Sequence, residues 1–309
     1  MVVDTIEMEK NPAINKYADE KWLEMESPFA VYQGEELVDE NLEEYGRYIE
    51  LDEFQTEIIK AVNTMLFSNG QLIKKFLIRL GLDFDAEKLA KELKNLSRNK
   101  YLCKKSFVYT DGTKSASKVY TLGRKGKGFL KHNGMSIKLE GYINTRTPSQ
   151  VKKILVANQT MLEIVGNDED MFFRTSRMFA VDKKDSGSKL FRALGFINNW
   201  NAGKSYLIQP VRNEQNNVGE LLDKLHRMEK VIKKVGTSGL KIADDLTVVV
   251  VAENKIWMEY FENIIKKQHY SYFKISMTYD RLIVSDKPLT EKMHYVKTAS
   301  LIQKLLNIA

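Results

Sequence analysis

Cysteine is all but missing: Cys103 stands alone among 309 residues. A disulfide framework and any site built from several thiolates are thereby excluded. Histidine is nearly as scarce, and His132, His226, His269 and His294 lie far apart, with no pair at metal-ligand spacing. A relaxase of the two-histidine type, which needs paired ligands beside a nucleophilic tyrosine, has no basis here. Long apolar runs are absent too. The best candidates are as short as Leu246–Ala252, well under the ~18 residues that suggest a spanning helix, so no membrane partner is expected. The first residues are acidic and lack a basic stretch followed by an apolar one, so we expect no signal peptide and a cytoplasmic protein.

What the chain does have is charge, unevenly placed. The net charge is +7, yet residues 1–50 hold four Lys/Arg against fourteen Asp/Glu, a net −10. Residues 51–134 hold seventeen against eight, a net +9. Such asymmetry points to a basic module for a polyanion with an acidic arm beside it.

Three segments follow. Residues 1–50 are a polar, acidic N-terminal arm with too little apolar surface to fold alone, left disordered or laid over a neighbour. The acidic run from Glu36 has the composition of a short helix. Residues 51–134 read as three helices and a hairpin. Leu51, Phe54, Ile58, Ile59, Val62, Met65 and Leu66 recur at helical spacing. Asn69-Gly70 breaks that helix, and Leu72, Ile73, Phe76, Leu77 and Leu80 line a second, closed by Gly81. A third starts after Asp83 or Asp85 and buries Leu89, Ala90, Leu93 and Leu96. The period then drops to two over Tyr101–Tyr109 and Lys118–Leu122, with Asp111-Gly112 as the turn. Three helices and a hairpin are the parts of a winged helix-turn-helix.

Residues 147–309 alternate apolar runs with amphipathic helices. A helix opens at Pro148, and strands are expected at Arg177–Val181, Ser205–Val211, Thr247–Ala252, Tyr272–Met277 and Leu282–Val284. Further helices fall at Val218–Val235 and Trp257–Lys267, with a last one at Ala299–Ile308. The expected fold class is therefore α+β and α/β in two domains, a winged helix followed by a mixed-sheet α/β domain.

On the third helix, Lys88, Lys91, Lys94, Asn95 and Arg98 face away from the buried leucines, where such a helix meets the major groove. The hairpin adds Lys104, Lys105, Lys114 and Lys118 for flanking phosphates, and Arg124, Lys125 and Lys127 follow between glycines. Each neutralised phosphate releases counterions, so this surface predicts strong, salt-sensitive binding to double-stranded DNA. Arginine, the usual guanine reader, is limited in this module to Arg79, Arg98 and Arg124, so affinity should exceed specificity. Asn95 is the best side chain for an adenine contact.

Catalytic signatures fall short. Ala202-Gly203-Lys204-Ser205 looks like the end of a phosphate-binding loop, but the motif wants glycine where Asn198 stands. Gly123, Gly126 and Gly128 follow a wing strand and do not fit a dinucleotide fingerprint. Methionines in Met171–Met178 read as core filler. A Mg²⁺ nuclease wants two or three carboxylates and usually a lysine at the sheet edge. The strand at Tyr206–Val211 offers Gln209, Pro210 and Val211 instead, leaving Asp182 with Glu214 as a divergent alternative. Asp244-Asp245 reads as a helix-to-strand turn. No cofactor is expected.

Residues 52–134 carry Leu89-x-x-x-Leu93-x-x-Leu96-x-x-x-x-Tyr101-Leu102, then Val119-Tyr120-Thr121-Leu122-Gly123-x-x-Gly126 leading into Phe129-Leu130. This resembles the winged-helix part of the replication-relaxation family of Gram-positive plasmids and conjugative elements. The resemblance implies a second domain similar to the restriction-endonuclease-like fold, spanning most of residues 52–285 in all. The acidic Leu-Glu-Val-Asp-Arg-like strand typical of that domain becomes Leu207-Ile208-Gln209-Pro210-Val211-Arg212, which keeps the arginine and lacks both acids. The expectation is thus a double-stranded DNA-binding accessory protein in replication, its control or transfer. Its α/β domain would be non-catalytic, for self-association as a homodimer or for a replication or DNA-transfer partner. A Mg²⁺ nuclease, a transcriptional regulator and a protein-interaction adaptor are the alternatives, and the acidic arm would compete with DNA for the basic face.

Overall fold

The computed structural model describes residues 29–30, 34–39, 49–137, 146–166, 171–180, 190–214 and 216–299. The fold is mixed α+β, with two sheets and, among the described residues, nine helices. It divides into two compact units, one within residues 31–162 and the other drawing on residues 163 onward.

The first unit opens on a surprise. The helix expected at Glu36 is instead a strand, β1 (Glu36–Asp39). Helix α1 (Glu53–Met65) starts at a capping box: Asp52 accepts the Gln55 amide at 2.7 Å and the Gln55 side chain accepts the Asp52 amide at 3.2 Å. Its predicted face, Phe54 through Met65, is buried. A two-residue strand, β2 (Ser68–Asn69), leads into α2 (Gly70–Arg79), where the Asn69 side chain accepts the Leu72 amide at 2.9 Å. Gly81, at φ +76°, ends that helix as its position predicts. Leu80 lies beyond the last turn and is exposed, so it leaves the predicted stripe. Asp85 caps α3 (Ala86–Arg98), accepting the Lys88 amide at 2.6 Å. Leu89, Leu93 and Leu96 are buried, but Ala90 is exposed. One residue on from Leu89 is a turn of about 100°, enough to carry Ala90 off the stripe.

The hairpin is β3 (Leu102–Val108) and β4 (Lys114–Leu122), followed by α4 (Arg124–His132) and α5 (Pro148–Val165). Strand β1 lies antiparallel to β3, with Leu37 opposite Phe107. The open edge of β3 supplies unpaired amides and carbonyls, and that demand overrides the local composition of β1. The sheet order is β1-β3-β4-β2, antiparallel throughout. Most of α5, expected in the second domain, clusters with this unit. Asn158 donates to the Met65 and Phe67 carbonyls at 2.8 Å each, and Lys152 forms a fully buried ion pair with Glu35 at 2.6 Å.

The second unit begins with an antiparallel meander of β5 (Phe172–Ala180), β6 (Leu190–Asn199) and β7 (Lys204–Pro210). From β7 the chain crosses through α6 (Asn217–Leu240) to β8 (Asp245–Ala252), then through α7 (Lys255–Lys266) to β9 (Lys274–Tyr279), and both pairings are parallel. The segment expected to be extended at Leu282–Val284 begins inside the short helix α8 (Asp280–Ile283); α9 (Leu289–Lys292) and β10 (His294–Val296) follow. The six strands stand in the order β10-β9-β8-β7-β6-β5. Parallel crossovers cover a sheet face with helix, so the β8 run of four valines is buried on both sides. Leu221, Leu225 and Met228 of α6 and Phe261 of α7 share a core with Val248 and Val250. Met178 is exposed on the edge strand β5 and so is not core filler. The predicted helix at Ala299–Ile308 falls almost wholly outside the described residues, as does Asp182.

Candidate nucleic-acid interface

The outward side of α3 carries the cations that its leucine stripe predicts. Lys88, Lys91, Lys94 and Arg98 are all exposed. Among the described residues, Lys91, Lys94 and Arg98 form no ion pair, while Lys88 lies 4.6 Å over the Phe54 ring. Its ammonium therefore has an aromatic face as a resting place and still meets solvent.

Asn95 is placed differently. Its amide donates to Glu92 Oε2 at 3.2 Å, and its side-chain oxygen accepts from Asn99 at 2.8 Å. Glu92 Oε2 also accepts from the Gln55 side chain at 2.7 Å. A polar chain thus runs from the α1 cap through Gln55, Glu92 and Asn95 to Asn99. These bonds hold the amide in place, and one N–H and one oxygen lone pair remain on it.

The hairpin splits the remaining lysines. Lys114 is exposed beside the turn, where Asp111 accepts the Thr113 amide at 2.8 Å and hydroxyl at 2.6 Å and Gly112 takes φ +79°. Those hydrogen bonds hold the Asp111 carboxyl below its ordinary value. Lys118 is half-buried and donates to the Ser106 hydroxyl at 2.8 Å. Lys104 is half-buried on β3. Lys105 is withdrawn altogether, only 4% exposed, with its amine 3.0 Å from Asp39. The partner arrives from β1, which hairpin spacing alone gives no reason to expect. Cys103, half-buried nearby, has its thiol pushed up by burial and by Asp39, against the opposing charges of Lys105, Lys127 and Lys100, so it is no reactive thiolate.

The glycines after β4 have a backbone role. A Cβ on Gly123 would sit 2.3 Å from the Lys100 carbonyl oxygen, and one on Gly126 would sit 2.3 Å from that of Tyr101. Without side chains the first turn of α4 closes on the end of α3: Gly123 N donates to the Tyr101 carbonyl at 2.9 Å and Lys125 N to that of Lys100 at 3.2 Å. Arg124 is exposed and Lys125 and Lys127 half-buried at this junction. The pattern Gly123-x-x-Gly126 is visible in the sequence; its reason, contact with two carbonyls, is not.

Outside this surface, Ala202-Gly203 forms the turn of the β6–β7 hairpin, with Gly203 at φ +63°, and a strand rather than a phosphate-holding helix follows it. Gln209 is buried in β7 and donates to the Arg192 carbonyl at 3.1 Å. Glu214 lies half-buried beyond β7. Asp245 opens β8 and pairs with Lys274 at 2.8 Å. Among the described residues, no three His, Cys, Asp or Glu side chains gather in a way that could hold a metal ion. No described helix is long and apolar enough to cross a membrane. Comparison with protein-family models, curated proteins and solved structures returned no match.

Proposed function

We propose that residues 51–134 are a winged helix-turn-helix that binds double-stranded DNA chiefly through its phosphates. The observation that carries the reading is the outward face of α3, where Lys88, Lys91, Lys94 and Arg98 stand exposed on a helix capped by Asp85 and anchored by Leu89, Leu93 and Leu96. The order α1-β2-α2-α3-β3-β4, with β2 paired to β4, supports it, because a winged helix places its recognition helix and wing in that succession. Arg124 and Lys114 would extend the contact along the backbone, with Asn95 beside them, whereas Lys105 is turned to Asp39.

The succession β5-β6-β7-α6-β8-α7-β9 supports reading the second unit as a degenerate restriction-endonuclease-like domain, in keeping with the resemblance to the replication-relaxation family. With Gln209 tied to a backbone carbonyl, that domain is best read as a platform for self-association or a DNA-transfer or replication partner. The chain would act as an accessory protein of a plasmid or conjugative element.

The test is fluorescence anisotropy of a labelled mixed-sequence duplex at several salt concentrations, with and without Mg²⁺. The expected result is a steep fall of log K with log[salt], by about 0.9 per phosphate neutralised. Lys91→Glu/Lys94→Glu should abolish most of the affinity, and exchange of the duplex sequence should change Kd less than about tenfold. Absence of binding at low salt, or cleavage in Mg²⁺, would overturn the reading.

A further inference from the structure

The second unit has a charged surface of its own. From Lys224 through Lys241 the chain carries six cations against the single carboxylate of Glu229. Arg227, Lys230 and Lys233 are exposed, and among the described residues none of the three forms an ion pair. Helix ends attract cations, and Gly236, at φ +71° and ψ 172°, interrupts α6 shortly after Lys233 and Lys234. A helix C-terminus offers only about half a negative charge, so it accounts for a fraction of this density.

A second segment meets α6 here. The loop after α7 carries Lys267, His269 and Tyr272, all exposed, and meets the helix through Tyr270 and Ser271. Two contacts fix the junction: Glu229 Oε1 accepts the Ser271 amide at 2.8 Å, and the His226 and Tyr270 rings lie 5.6 Å apart. Glu229 is thus partly spent on a backbone amide. Beneath the surface, the Tyr270 hydroxyl and Glu229 Oε2 are buried without a hydrogen-bond partner among the described residues. Buried polar atoms are rarely left so, but these two have no exposed surface and take no part in what binds outside.

We propose that this junction is a second nucleic-acid surface, one that takes a single strand. Phosphates would follow Arg227, Lys230, Lys233 and Lys267, and a base would stack on Tyr272. Lysines beside an exposed aromatic ring suit a flexible strand whose bases are unstacked, whereas a duplex hides its base faces. The surface belongs to the second unit and does not depend on the duplex reading.

The experiment titrates the full chain against a labelled mixed-sequence single strand, a labelled duplex and anionic phosphatidylserine vesicles. Variants are Lys230→Glu/Lys233→Glu, Tyr272→Ala, Lys91→Glu/Lys94→Glu and Lys287→Glu, the last an exposed lysine elsewhere on the second unit. Circular dichroism checks that each is folded. The expected result for Lys230→Glu/Lys233→Glu is roughly a tenfold or greater loss of single-strand affinity, with a salt slope shallower by about 1.4. Tyr272→Ala should lose about five- to hundredfold. Lys287→Glu should stay within about twofold. Equal single-strand binding by wild type and the Lys230/Lys233 variant, equal losses in Lys287→Glu, or binding to vesicles without binding to the strand would sink the proposal. Failure of the duplex arm alone would sink the α3 reading and leave this one standing.

Discussion

Among the described residues each unit buries one ion pair completely, and the two are built differently. In the first, Lys152 places a single ammonium 2.6 Å from both oxygens of Glu35 and 4.8 Å over the Phe107 ring. In the second, Arg212 meets Asp280 as a fork, with Nη1 2.6 Å from Oδ2 and Nη2 3.0 Å from Oδ1. The lysine is a point charge that ties the segment before an edge strand to a helix. The arginine is a planar connector at the ends of the parallel strands: it follows β7, Asp280 follows β9, and Nη2 lies 3.4 Å from the Val251 carbonyl on β8 between them. A point charge tolerates rotation; a fork fixes orientation. The first pair therefore holds an attachment and the second sets a geometry.

The sharpest way to break this comparison is Asp280→Ala, which leaves a buried guanidinium uncompensated. It should cost about 3–5 kcal/mol, read as a lower denaturation midpoint. Arg212→Lys, which keeps the charge and loses the fork, should lower the midpoint by less. Glu35→Ala should fall at the lower end of that range, about 3 kcal/mol, because the Phe107 face still receives the ammonium. Adding Lys152→Met should recover much of that loss, since removing both charges removes the desolvation penalty. No recovery would show that the pair contributes more than an attachment.

The smallest effect belongs to a buried carboxylate with two exposed partners. Glu262 meets Lys266 at 2.6 Å and His294 at 3.0 Å. Burial raises its carboxyl, but the Lys266 hydrogen bond and the His294 charge outweigh this and hold it below the usual glutamate range. A depressed carboxyl stabilises the fold above its unfolded value and loses that contribution as pH falls through the folded one. Glu262→Gln should therefore cost about 0.5 kcal/mol at neutral pH, with the gap from wild type closing in acid below the glutamate range.

Legibility in the sequence followed the length of each element and the locality of its contacts. The stripes of α1 and α3 and the β-branched run of β8 repeat often enough to declare their period. Two-residue β2 has no period to read. In β6, Leu-Phe-Arg-Ala-Leu-Gly-Phe-Ile-Asn-Asn puts Phe191, Ala193 and Phe196 in one core, so strict alternation is lost. β1 reads as a helix because its acids are tolerated there, and only the edge of β3 makes it a strand. The cations of α3 are legible because helical geometry alone turns them outward. What the sequence does not show is the partners of Lys105 and Asn95, Asp39 for the one and Glu92 with Asn99 for the other, because folding chooses them rather than the pattern of charge.

Strand β1 also bears on where the first unit can be cut. Composition suggests starting a fragment at residue 51, yet such a fragment would discard Glu35 and Asp39 together with the strand between them. Lys152 would lose the carboxylate that neutralises its buried charge, and β3 would present an open row of amides flanked by Phe107. Chains with bare edges pair with one another, so the trimmed fragment should self-associate into insoluble material, and a soluble version has to begin ahead of Gly34.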